Sequence, residues 1–213
     1  MLIGWDKAVK DLSENDDVIA KIIANYPDER MEMKNDTLHT LVRSIVGQQI
    51  SVRAADAIWN RLEKACGNSI NEKNLLKLNT EELRETGLSK TKSSYILNVV
   101  NANLSEKKWE NMSDEEVTEE LCKIKGIGPW TADMFLIFRL GRTNILPLGD
   151  IGLVNAINLH YNNKEKLSKK ELAKFKDKWS PWSSIATWYM WRSLDPVPVA
   201  VSYTHLRAHE TLP

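Results

Sequence analysis

The sequence predicts an all-α fold, two-lobed, with a cleft between the lobes. Apolar residues recur at helical spacing, capping residues bracket those stripes, and no strand-length run alternates at period two. The first clear stripe is Leu38, Leu41, Val42, Ile45 and Val46, one face of a helix. Ser51 caps a second helix carrying Ala55, Ile58, Trp59 and Leu62, with Gly67 as its stop. Thr80 to Gly87 forms a short capped helix, and Tyr95, Ile96, Val99 and Val100 mark another. Ser113 to Glu116 is a capping box ahead of Val117 and Leu121, and Ser168 to Glu171 repeats it ahead of Leu172 and Phe175. Asp150 stands as the N-cap of "IGLVNAINLHY". Ser180-Pro181 starts a last helix with proline at its first position, closed by Pro196.

Composition bounds the partners. At 213 residues and 42% hydrophobic, the chain is long enough for one well-buried domain, expected over residues 1–201. No run approaches the roughly 18 apolar residues of a membrane span. The N-terminus lacks the build of a signal peptide, and Cys66 and Cys122 make no disulfide framework, so a cytoplasmic location is expected. Lys+Arg and Asp+Glu balance at 29 each, which disfavours holding nucleic acid by bulk charge but allows a local grip on a few phosphates. Acidic residues cluster at Glu14 to Asp17 and at Asp114 to Glu116. Residues 202–213, "SYTHLRAHETLP", have no stripe to dock them and read as a non-native tail; His205 and His209 there lack a third metal ligand.

One joint is unusually tight. In "KIKGIGPWTA", Gly126 and Gly128 flank Ile127, and Pro129 at once presets the next helix. The turn and the new helix start leave backbone N–H groups facing outward, which together with the helix dipole make an anion site. A plain connection between antiparallel helices uses glycine in the same way. Eight tryptophans against three phenylalanines is a second oddity; most should be core, with one or two free to line a cleft.

This segment, a hairpin over about residues 113–140, resembles the helix-hairpin-helix motif. "GIGPWTADMF" is followed, 22 residues beyond Gly128, by Asp150 in "LPLGDIGLVNAI", and "LVRSIVGQQISVRAADAIW" lies upstream. Over roughly residues 35–195 the chain resembles the helix-hairpin-helix DNA glycosylase superfamily, most of all its alkylated-base branch, DNA-3-methyladenine glycosylase II. The resemblance implies base excision repair on double-stranded DNA containing damaged bases, by a monomer. It places Gln48 and Gln49 at the wedge, with Gln49 as the inserted residue; the bland reading is a polar helix terminus capped by Ser51 and the glutamines. It puts Trp179 and Trp182 in a C-terminal aromatic wall of the base pocket. It also suggests a sodium or potassium ion on the carbonyls of Cys122, Ile124 and Ile127, with no other cofactor required. Trp130 stands where bifunctional members carry a Schiff-base lysine, and the C-terminal cysteines of an iron–sulfur cluster are missing, so a monofunctional enzyme without lyase activity is expected.

The residues fit that chemistry. An enzyme must turn a base out of the duplex to reach its glycosidic bond. Asp150, kept ionised at a helix start, would face the sugar cation that forms as the bond breaks, or orient or deprotonate the attacking water. An alkylated purine such as 3-methyladenine is already cationic, so an aromatic face such as Trp130 suffices to select it. The N–H groups of Gly126, Ile127 and Gly128 would grip phosphate, with Lys123 and Lys125 adding local charge. Two rival readings remain: a non-catalytic module recognising lesions or DNA shape, and a glycosylase for a neutral lesion.

Overall fold

The computed structural model describes residues 4–194 except 35, together with Leu2. Among them are twelve α-helices, two 3₁₀ turns and no strand. The order is α1 (Trp5–Asn15), α2 (Asp17–Asn25), α3 (Thr37–Gly47), α4 (Val52–Ala65), α5 (Glu72–Leu75), α6 (Thr80–Glu85), α7 (Lys90–Val100), α8 (Asp114–Cys122), α9 (Pro129–Phe138), α10 (Ile151–Tyr161), α11 (Lys169–Trp179) and α12 (Ser183–Arg192). The tail at 202–213, with His205 and His209, and Pro196 lie outside the described residues.

The predicted stripes face the core, with Leu38, Ile58, Trp59 and Tyr95 half-buried against it. Leu41, Val42, Ile45 and Val46 of α3 are fully enclosed, and α3 packs against α7 and α9, the second helix of the glycine hairpin. Both predicted capping boxes form, at Ser113 and Ser168. Gly67 ends α4 with φ +66, as its place after the stripe predicts. The cap of α6 is Asn79 rather than Thr80, with Glu82 closing its own box.

Two regions differ from what the sequence predicts. The N-terminal residues form α1 and α2, which bury Trp5, Ala8 and Leu12, and Ile19, Ile22 and Ile23. Asp16 caps α2 through Val18 and Ile19 and is only 5% exposed. Its Oδ2 accepts from Tyr161 at 2.6 Å and from the Trp179 indole at 3.0 Å, with the Lys178 ammonium at 3.4 Å. One carboxylate from the acidic cluster thus fastens the N-terminal pair to α10 and α11. At the other end, Pro181 does not open α12: Ser180 caps the C-terminus of α11, and α12 begins at Ser183 without a side-chain cap. The Ser-Pro signal is real, but it marks the turn between two helices.

Candidate active site

The hairpin joins α8 to α9. Gly126 has φ +110, and a Cβ there would lie 2.2 Å from Cγ of Tyr95, so torsion and space both demand glycine. Gly128 differs: its φ of −116 is open to any residue and no atom would touch a Cβ. Its missing side chain leaves the front of α9 clear, and Pro129 follows at the first helical position. The Ile127 N–H donates to the Ile124 carbonyl at 3.0 Å, which removes it from the expected three-donor clamp. The Gly126 and Gly128 N–H groups have no acceptor among the described residues. Lys123 is paired with Glu120 at 2.6 Å. Hydrogen bonds from Lys107 and then Lys123 pull the Glu120 carboxyl down to about 2. Lys125 is exposed and forms no ion pair among the described residues.

Asp150 is the N-cap of α10, its Oδ1 accepting from the Leu153 N–H at 2.7 Å. Two indoles complete its surroundings. Trp130, the second residue of α9, donates Nε1–H to Oδ2 at 2.8 Å, and Trp191 of α12 donates to Oδ1 at 2.8 Å. A carboxylate offers about four acceptor positions, two on each oxygen. Oδ1 is therefore filled, and the open position is on Oδ2. Indole N–H is a donor only, so neither tryptophan exchanges a proton with the acid in ordinary acid–base chemistry. Trp191 is itself fixed by stacking on Phe138 at 6.0 Å and 15°. A Cβ on Gly152 would sit 3.1 Å from Asp150 Oδ1, so glycine there gives the carboxylate room. Asp150 is half-buried and, through Trp130, lies one side chain away from the glycine bend.

The glutamine segment divides by role. Gln48 donates Nε2–H to the Gly126 carbonyl and to Thr131 Oγ1, both at 3.0 Å, so its amide serves as a strut between the end of α3 and the hairpin. Gln49 is exposed with φ +56, at the crest of the turn, and Ser51 caps α4 through Ala54. The neighbouring apolar side chains Ile50 and Val52 are also exposed.

The aromatic wall requires correction. Trp179 is 1% exposed, packed against Phe175 and Tyr161 and bonded to Asp16, so it has no face to offer a base. Trp182 bonds Asp11 at 2.8 Å and lies over Gly4, which attaches it to α1. Trp191, which its helix neighbours suggest is core, reaches Asp150 instead. Trp188 is half-buried and packs against the core, edge-on to Trp5 and Tyr189. Trp130 is half-buried, and no aromatic ring pairs with it among the described residues. One turn further along α9, burial pushes the Asp133 carboxyl up to about 6, partly offset by Lys176.

The glycine hairpin is thus linked through Trp130 to a capped, indole-held aspartate. The chain belongs to the family described as "HhH-GPD superfamily base excision DNA repair protein", which matches residues 42–181. It is 29% identical over 189 residues to the DNA-3-methyladenine glycosylase 1 of Schizosaccharomyces pombe, covering 85% of this chain and 83% of that one. A Bacillus subtilis DNA-3-methyladenine glycosylase is 29% identical over 174 residues, 75% of this chain. The chain spans only 57% and 58% of the lengths of two Bacillus subtilis relatives it matches. Among solved structures, the S. pombe 3-methyladenine DNA glycosylase (Mag1) in complex with abasic DNA superposes with a TM-score of 0.78 at 29% identity. That match covers 88% of this chain and 96% of the other.

Proposed function

We propose that this protein is a monofunctional DNA glycosylase that turns alkylated, cationic purines such as 3-methyladenine out of duplex DNA and hydrolyses their glycosidic bond. The product is an abasic site for base excision repair. The observation that carries this is Asp150, an anion fixed by three N–H donors with one open acceptor position on Oδ2, one indole away from the glycine bend.

Breaking the bond builds positive charge on the deoxyribose, and a preorganised negative charge beside C1′ stabilises that state without reorganising. Oδ2 is the atom that would face the sugar and the incoming water. The leaving base carries its own positive charge, so no general acid is needed. Trp130 would present a ring face to that cation, a contact worth about 0.5–2 kcal/mol depending on desolvation. So small a preference predicts a broad range of alkylated substrates. With tryptophan at 130 there is no amine for a Schiff base, so strands should stay intact. The Gly126 and Gly128 N–H groups and the dipole of α9 would receive a backbone phosphate, with Lys125 beside them. For a monovalent cation, the carbonyls of Cys122, Ile124 and Ile127 are the candidate oxygens. The Ile124 carbonyl already accepts one hydrogen bond and keeps one lone pair for such an ion. The enzyme would work inside the cell, with the DNA.

Incubating methylated duplex with the protein and measuring free base tests this reading. Released 3-methyladenine or 7-methylguanine with unbroken strands is expected. Binding without release across several alkylated lesions would make the protein a recognition module, and release confined to hypoxanthine would shift the substrate to a neutral lesion.

A further inference from the structure

Two turns would meet DNA in this account: the crest at Gln48–Gln49, where a side chain replaces the extruded nucleotide, and the bend at Lys125–Gly126, where the strand is held. One helix touches both. On α7, Lys92 donates to the carbonyls of Val46 at 2.9 Å and Gln48 at 2.7 Å, closing the C-terminus of α3. Tyr95, three residues on, lays its ring where a side chain at Gly126 would be. Asn98, three further, donates to the Lys125 carbonyl at 2.9 Å. Gln48 then bonds Gly126 directly, so the three parts form a closed circuit. Ile96, Val99 and Val100 anchor α7 in the core, which makes it a rigid base. Burial lowers the Lys92 ammonium from its ordinary value, and the carbonyls at the negative end of α3 offset that cost.

We propose that Lys92, Tyr95 and Asn98 are positioning residues: they hold the wedge turn and the phosphate bend at a fixed separation, and that spacing sets selectivity for DNA with an extruded nucleotide. From Lys92 to Asn98 the helix rises about 9 Å. Neither residue need touch DNA. The inference rests on the extrusion part of the proposed function and not on bond cleavage.

The test uses the full chain and two duplexes, one undamaged and one carrying a tetrahydrofuran abasic-site analogue, with Lys92→Met, Asn98→Leu and Lys92→Arg as variants. Lys92→Met should weaken binding to the abasic duplex about tenfold, the scale of a lost hydrogen bond to a charged group, and leave undamaged DNA within about twofold. Asn98→Leu should do the same several-fold, and Lys92→Arg, which keeps donors, should restore most of the preference. The slope of log K against log[salt] should not change. A parallel loss on both duplexes with a slope reduced by about 0.9 would make Lys92 a phosphate contact and overturn the inference. So would folded variants that keep the wild-type preference. Should Lys92→Met fail to fold, Asn98→Leu decides alone. A wild-type protein with no preference for the abasic duplex would sink the extrusion reading, and this inference with it.

Discussion

Trp191 donates its indole N–H to Asp150 Oδ1 at 2.8 Å, reaching across 41 residues from the last helix to the start of α10. With the Leu153 N–H on the same oxygen, this contact decides which side of the carboxylate is left for chemistry. Trp191→Phe leaves an aromatic ring beside Phe138 and removes the donor together with part of the indole. Because a hydrogen bond to a charged group is worth about 1.5–3 kcal/mol, the single-turnover rate of base release should fall about tenfold or more. DNA affinity should be unchanged.

The two glycines of the bend predict opposite phenotypes. Gly126→Ala forces a Cβ into the Tyr95 ring at positive φ. Overpacking and torsional strain of this kind cost about 1–3 kcal/mol each, so thermal stability should drop by several degrees. Gly128→Ala meets no atom and no torsional penalty. It should melt within a few degrees of the wild type, the small cost of alanine at an N-cap, yet bind DNA more weakly, since its methyl stands before the N-terminus of α9. Melting curves and duplex binding on the pair separate the two roles.

Asp133 gives a pH signature. Its carboxyl titrates at about 6 when folded, above its ordinary value of 3.8, because burial disfavours the charge. The native state therefore binds the proton more tightly than the unfolded chain. Stability from this group is complete below about pH 3.8 and is lost as pH rises through about 6. Asp133→Asn should raise Tm by about 2–4 °C at pH 7.5, the scale of about 1 kcal/mol after allowing for solvent screening, and by little at pH 4.5. Calorimetry at both pH values checks the sign.

Trp179 belongs to the scaffold. Trp179→Phe removes a buried N–H partner of Asp16 and should lower stability by about 1–3 kcal/mol. The single-turnover release rate below the melting range should match the wild type. A base-pocket wall would behave in the reverse way.

Local chemistry was legible in the sequence where it acts locally. The capping boxes, the stripe of α3, the glycine bend and the N-cap role of Asp150 all depend on residues within a few positions of each other. What was hidden depends on distant partners. Nothing near Trp191 marks it as different from Trp188, since both share one helix; only the position of Asp150 decides which indole is functional. Asp16 reads as one of a run of surface acids, while its partners Tyr161 and Trp179 lie 145 and 163 residues away. The aromatic wall fails at Trp179 for the same reason: it is buried on Asp16, beside helices the sequence does not announce, whereas Trp182 stays half-buried with its N–H on Asp11. Ile127 shows the limit even within a motif, because a turn hydrogen bond consumes the donor that its position promised.

The most direct measurement is single-turnover release of methylated purines by Asp150→Asn, with duplex affinity measured alongside. Asparagine keeps the cap and the shape but removes the charge and turns an amide N–H₂ toward a tryptophan donor. The expected result is a rate loss of at least about 10²–10³-fold with affinity within a few-fold of wild type. Release at a rate near the wild type's would contradict it.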